Sequence, residues 1–214
     1  MTMRTPHAHS ITKEKLLDAA QRLMLAKGFA ATTVDEICEA AGLTKGSFFH
    51  YFTSKEELGK AALDRFVSTR SQALQQAPFL KKSDPLQRVY GYVDFVIEMS
   101  KNPEARNGCL LGHFAQELSD THPEIRSRCA RHFAEWAEGL TRDLDDAKRR
   151  YAPKAAVDTR SVAEHFIAIV EGSLILAKAK RDVGMVEKNL RHFKRYVKGL
   201  FEQRLDKRGS GSRR

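Results

Sequence analysis

Cysteine is scarce in this chain. Three are present in 214 residues, Cys38, Cys109 and Cys129, widely spaced and with no C-x-x-C. That excludes a disulfide framework and a zinc finger, and it fits a reducing compartment. Proline is scarce too: of six, Pro85, Pro103 and Pro123 stand where helices begin or break. Strand-like alternation is absent. No apolar run approaches the roughly 20 residues that a membrane span needs. Residues 1–10 are polar and lack the apolar stretch of a secretory signal. No G-x-S-x-G, Walker loop or dinucleotide glycine pattern occurs, so the sequence carries no enzyme signature and calls for no cofactor. These absences read as a soluble, cytoplasmic, non-enzymatic chain without a membrane partner.

What is present is positive charge and helical periodicity. The formal net charge is +10 and the sequence pI about 9.6, which favours polyanionic partners. Apolar residues recur at three- and four-residue spacing nearly throughout, which predicts an all-α fold. Nine helices are expected: 12–27, 33–41, 44–50, 54–75, 85–100, 106–118, 123–151, 159–181 and 185–206. The divisions expected are an N-terminal three-helix unit over 1–53, a connecting helix over 54–76, a helical body over 77–207, and a Gly/Ser/Arg-rich basic tail over 208–214. The composition of that tail predicts disorder.

Function concentrates near the N-terminus. Thr33-Val-Asp-Glu36 is a capping box that opens a short helix, and Gly42 stops it. A second short helix follows at once, Thr44-Lys-Gly-Ser-Phe-Phe-His-Tyr-Phe52. Two helices on a tight Gly42-Leu43 turn make a helix-turn-helix. Two helical turns have little stability alone, and Phe48 and Phe52, four apart, supply an anchor. The other face is then free to enter a major groove. Lys45 can bond guanine or a phosphate, and Thr44 and Ser47 can bond bases or backbone. Gly46 lets the helix lie close to the groove, and His50 and Tyr51 offer polar groups at its end. Thr33 sits at a helix N-terminus, where a free N–H favours phosphate. Lys55 is poorly placed for the dipole of its own helix, which a bound phosphate would offset. The plain alternative is that these residues merely cap or solvate helices.

The segments Thr32-Thr-Val-Asp-Glu-Ile37, Ala41-Gly-Leu-Thr-Lys-Gly-Ser-Phe48 and His50-Tyr-Phe-x-Ser-Lys-Glu-Glu-Leu58 resemble the signature of the TetR family of bacterial repressors. The match covers about residues 15–63. The resemblance implies a TetR-like architecture: an N-terminal DNA-binding domain and a C-terminal ligand-binding and dimerisation domain. It implies a homodimer on a palindromic operator, released by a small-molecule inducer. One position departs from the family: Phe49 stands where a tyrosine often supplies a phosphate contact.

The body offers weaker signals. Tyr92, Phe95, Met99, Phe114, Phe133 and Trp136 are the apolar candidates for an inducer pocket, with His165 and Glu171 on a mostly apolar helix. His113 and Glu117, one turn apart, could ligate a metal with His122 or Cys129, but a polar helix face is the simpler reading and no metal site is expected. Cys109 lies in Asn107-Gly-Cys-Leu-Leu-Gly112 near a helix start, with Arg106 close by, conditions that favour a thiolate. The Gly-Cys-Leu step also resembles electrophile-sensing members of the family. Cys109 therefore carries an alternative, a thiol-based sensor; a second is an all-helical enzyme with a basic surface. For dimerisation, the last two helices carry Leu174, Ile175, the small residues Ala168, Gly172, Ala177 and Ala179, and the stripe Val186, Leu190, Phe193, Val197, Leu200 and Phe201. The stripe is wide enough to want a partner surface, with packing inside one subunit as the alternative.

Overall fold

The computed structural model describes residues 6–201. The polar N-terminus, the end of the last expected helix (202–206) and the basic tail lie outside the described residues. Among the described residues there are nine α-helices and no strand. They are α1 (Pro6–Lys27), α2 (Val34–Ala41), α3 (Lys45–Tyr51), α4 (Lys55–Gln75), α5 (Pro85–Ser100), α6 (Leu110–Leu118), α7 (Pro123–Tyr151), α8 (Thr159–Lys180) and α9 (Gly184–Phe201). By its internal contacts the chain divides into two compact units. The first is Met1–Gln72 with Cys109–Ala130; the second is Ala73–Gly108 with Arg131–Arg214. The stretch Cys109–Ala130, which the sequence reading put with the C-terminal body, thus packs with the N-terminal helices.

The helix ends are capped by residues close to them in sequence. Gly28 ends α1 with φ +90° and Gly42 ends α2 with φ +64°, conformations that cost glycine little. Asp84 caps α5, its Oδ1 accepting from Gln87 N at 3.1 Å, with Pro85 at the first helical position. Ser54 Oγ accepts from Glu57 N at 3.1 Å to start α4, while the Glu57 carboxylate is drawn to Lys60 Nζ at 2.5 Å.

Three segments differ from expectation. α1 begins at Pro6 and not at residue 12. The stretch between α4 and α5, outside any expected helix, contains a 3-10 helix, Pro78–Lys81, fastened by the buried Phe79. A Cβ on Gly91 of α5 would come within 2.3 Å of Phe79 Cβ, so only glycine lets this turn dock. The helix expected from residue 106 begins at Leu110, after a second 3-10 helix, Pro103–Asn107. Gly108 has φ +98°, a conformation that cannot continue a right-handed helix.

The core of the second unit joins α5, α7, α8 and α9 through residues such as Val89, Val93, Leu144, Phe166, Leu190 and Phe193. The apolar stripe of α9 is spent here. Val186, Leu190, Phe193, Val197 and Phe201 are buried within their own unit and Leu200 is half-buried against it. The stripe read as wanting a partner subunit finds its cover inside the chain.

Candidate nucleic-acid interface

The helix-turn-helix lies wholly in the first unit. α2 and α3 meet at the Gly42-Leu43 turn, where Leu43 N donates to Cys38 O at 2.9 Å. Phe48 and Phe52 are buried and anchor α3. Phe49 is 58 % exposed, its ring edge-on to Phe48. Thr44, Lys45, Gly46 and His50 lie exposed, with Ser47 and Tyr51 half-buried. His50 and Tyr51 meet edge to face, with ring centres 4.9 Å apart.

Gly46 is informative because nothing inside the protein requires it. An added Cβ would meet only Thr44 Oγ1, at 3.7 Å, and no positive φ is involved. The space in front of it is open. Thr44 and Ser47 have work within the helix: Thr44 Oγ1 accepts from Ser47 N at 3.2 Å and lies 3.1 Å from Ser47 Oγ. Lys45 Nζ pairs with Asp35 Oδ1 at 2.8 Å. This hydrogen bond, more than the charge itself, raises the pKa of Lys45. The two side chains are 62 % and 65 % exposed, so water screens the pair and an incoming phosphate can replace it at small cost.

Two expected phosphate contacts are otherwise engaged. The Thr33 N–H is not free: it donates to Glu36 Oε2 at 2.9 Å, and Thr33 Oγ1 accepts from Glu36 N at 3.2 Å. The capping box closes on itself, and Glu36 also pairs with Lys27. Lys55 is turned inward. Its Nζ donates to the carbonyls of Phe29 (2.9 Å), Thr32 (2.9 Å) and Ala30 (3.4 Å). Burial lowers its pKa, with Glu117 acting the other way. The cation looked ill-placed for its helix dipole because its partners are the carbonyls left over after α1, not a phosphate.

The other side of that loop is held by a residue whose sequence setting suggests a polar helix face. Glu117 on α6 accepts from Phe29 N at 2.8 Å and Ala30 N at 2.7 Å. Among the described residues no group of three metal-ligating side chains occurs. The α1–α2 loop is therefore clasped by an ammonium from α4 and a carboxylate from α6. Phe29 packs edge-on to Phe114 and His122, and Gly59 leaves room for its ring, since a Cβ there would stand 2.9 Å from Phe29 Cε2. A carboxylate with two vicinal N–H groups has no sequence pattern to betray it, because the partners lie 88 and 87 residues away.

The pocket candidates divide between the units. Cys109, His113 and Phe114 belong to the first. Phe114 is fully buried in the core of that unit. Cys109 is the N-cap of α6 and 8 % exposed. In the second unit Tyr92, Phe95, Met99, Phe133 and Trp136 are half-buried. Trp136 Nε1–H donates to Tyr92 Oη at 2.5 Å, and burial pushes the Tyr92 hydroxyl pKa up. Phe133 stacks on Trp136, and both Tyr92 and Trp136 touch Phe166, which no sequence signal marks. His165 is exposed and lies against Phe193 and Tyr196 of α9, so it stands apart from this cluster. Glu171 is half-buried on α8.

Residues 16–62 match the profile of bacterial regulatory proteins of the tetR family, and residues 85–193 that of the tetracyclin repressor-like C-terminal domain. The chain is 25 % identical to the HTH-type transcriptional repressor DhaR of Mycobacterium sp. (strain GP1), over 82 % of this chain and 86 % of that protein. It is 25 % identical to the HTH-type transcriptional repressor NemR of Escherichia coli (strain K12), over 89 % and 96 %. A TetR transcriptional regulator from Chloroflexus aurantiacus J-10-FL superposes with a TM-score of 0.82 at 25 % identity, covering 91 % of this chain and 98 % of that one.

Proposed function

The chain belongs to the tetR family of bacterial regulatory proteins, and from that premise we propose that it is a homodimeric repressor released from a palindromic operator by a small molecule. That it is a DNA-binding transcriptional repressor follows from the family and its named relatives. The observation that carries the interface is α3: a two-turn helix, pinned by Phe48 and Phe52, holding Thr44, Lys45, Gly46 and His50 outward before open space. Lys45 exchanges Asp35 for a guanine edge or phosphate, and Gly46 allows the close approach. The protein acts in the cytoplasm, where the operator is, and as a regulator without turnover. No helix among the described residues is long and apolar enough to cross a membrane.

The half-buried cluster of Tyr92, Phe95, Met99, Phe133 and Trp136 suits a planar, largely apolar inducer. An inducer acts only through its differential affinity for two arrangements of the protein. The Glu117 clasp on the α1–α2 loop is the contact at which we place such a change: α6 held or α6 released. Operator selection followed by footprinting tests the reading. Two half-sites about 34–36 Å apart, or a multiple of that, are expected. Lys45→Ala should cost about 1–3 kcal/mol and relax one position. A selected site bound equally by wild type and Lys45→Ala, with no two-fold symmetry, rejects it.

A further inference from the structure

The surface of α3 carries an apolar group that folding does not account for. Phe49 is the most exposed large apolar residue among those described, at 58 %, and no other exposed one lies on α2 or α3. Its ring is nevertheless held in place. It packs edge-on against the buried Phe48, with ring centres 5.1 Å apart and planes at 80°. Lys45 stands four residues before it, so the two exposed side chains lie on one side of the helix, a single turn apart. Gly46, next to Lys45 in sequence, leaves the space before it open. Phe49 thus offers a flat hydrocarbon surface beside an ammonium group. It has no polar side-chain atom, so it can hydrogen-bond neither a phosphate nor a base edge. Single exposed apolar residues are common on protein surfaces, but this one stands on the helix that the proposed interface turns toward DNA.

We propose that Phe49 reads thymine, by packing its ring against the 5-methyl group in the major groove. This deepens the operator reading and rests on it. The thymine methyl is the apolar group that the major groove displays, among base edges that otherwise show donors and acceptors. A hydrocarbon ring brought to that groove therefore gains most from thymine. Contact with deoxyribose would also cover the ring, but it carries no sequence information directly. Four residues of helix rise ~6 Å, and successive base pairs stand ~3.4 Å apart. The thymine is therefore expected within about two base pairs of the position that Lys45 meets. Lys45 then selects by hydrogen bonding and Phe49 by burying a methyl group, a polar and an apolar readout side by side on α3.

The test uses the full-length protein and an operator that it selects from random duplexes. Thymines are replaced one position at a time, in both half-sites together, by deoxyuridine, which lacks only the methyl group. Burying one methyl group per half-site predicts a loss of about fourfold each, about fifteenfold for the pair. That loss is expected at the position facing Phe49 and not at thymines elsewhere in the half-site. F49A should bind the thymine operator more weakly than wild type and should no longer distinguish it from the deoxyuridine duplex. Because the methyl group is removed from the DNA, the wild-type measurement does not depend on how a variant folds. A selected operator with no methyl-sensitive position overturns the inference and leaves the operator reading in place. So does an F49A protein that prefers thymine to deoxyuridine by the wild-type factor. Failure to select any sequence overturns the operator reading itself, and this inference with it.

Discussion

Lys55 Nζ stands 2.9 Å from the carbonyl oxygen of Phe29 and 4.4 Å from the centre of the same residue's ring. The single ammonium also takes the carbonyl of Thr32, so α4 closes the loop between α1 and α2. Hydrogen bonds to charged groups contribute about 1.5–3 kcal/mol. Lys55→Ala should lower unfolding free energy by about 2–3 kcal/mol and leave the salt slope of operator binding unchanged. Urea titration and a salt series on the same protein read both. A slope reduced by about 0.9, with stability intact, would put the ammonium on a phosphate after all.

Glu117 makes the matching prediction from α6. Removing its carboxylate leaves the N–H groups of Phe29 and Ala30 to find water. Glu117→Ala should speed amide exchange at those two positions at least tenfold, corresponding to about 1.4 kcal/mol per decade, and weaken operator binding. Glu117→Gln keeps an acceptor oxygen and should fall between. Unchanged exchange at Phe29 and Ala30 in the alanine variant would show that the clasp contributes nothing in solution.

The contrast between these two residues and the caps shows what sequence patterns carry. Thr33, Gly42, Asp84 and Pro85 act on neighbours within four residues, so spacing alone foretells their geometry. The recognition helix was legible for the same reason, with Phe48 and Phe52 one turn apart. Lys55 and Glu117 act on backbone groups 23 to 88 residues away, and backbone groups have no sequence identity. Their charges were visible, but their partners were not. The α9 stripe failed differently: periodicity showed that Val186 to Phe201 must be covered and could not say whether by a second subunit or by α5 and α8. The aromatic cluster was legible in part, since Tyr92 and Trp136 meet while Phe166 was missed among the apolar residues of α8.

Acid should weaken the capping box only below about pH 4.5. The Glu36 carboxyl is lowered from 4.5 to about 2, chiefly by its hydrogen bond to Lys27 and then by the Thr33 N–H and hydroxyl. Its folded pKa lies below its unfolded value, so its contribution is complete above about 4.5 and is lost as pH falls toward 2. Glu36→Gln should flatten the stability profile across that window and leave it parallel to wild type above pH 5. Denaturant midpoints from pH 2 to 7 decide it. Parallel curves throughout would mean the carboxylate is no better held folded than unfolded.

With the α9 stripe covered inside the chain, we expect the dimer surface on what that stripe leaves uncovered. Ile175 is 52 % exposed and Leu176 41 %, with Tyr196 also exposed, whereas Leu200 packs against the unit's own core. Ile175 and Leu176 are adjacent large apolar side chains left exposed on α8, which favours a partner surface there. Ile175→Glu should give a folded monomer by sedimentation, with operator binding lost. Leu200→Glu should lower stability whether or not the dimer persists. An Ile175→Glu protein that sediments as a dimer would remove α8 from the interface.

The three cysteines should react in an order set by burial. Cys38 is buried on α2, and burial together with Asp35 raises its pKa. Cys129 is raised by burial to about 11 from 9.0, leaving about a hundredfold less thiolate at neutral pH than a free thiol has. Cys109 is buried as well, but it is the N-cap of α6 and follows Gly108, whose φ of +98° ends the preceding turn. A helix N-terminus favours a thiolate, and only Cys109 has one. At pH 7.5, iodoacetamide should therefore label Cys109 first in the folded protein, though more slowly than in denaturant because the residue is 8 % exposed. Modification there pushes on the start of the helix that carries Glu117. If the thiol is the sensor, labelling should release operator and Cys109→Ser should resist release by a mild electrophile. If Cys109 labels no faster than Cys129, or Cys109→Ser releases operator as readily as wild type, the signal reaches the repressor through a bound molecule alone.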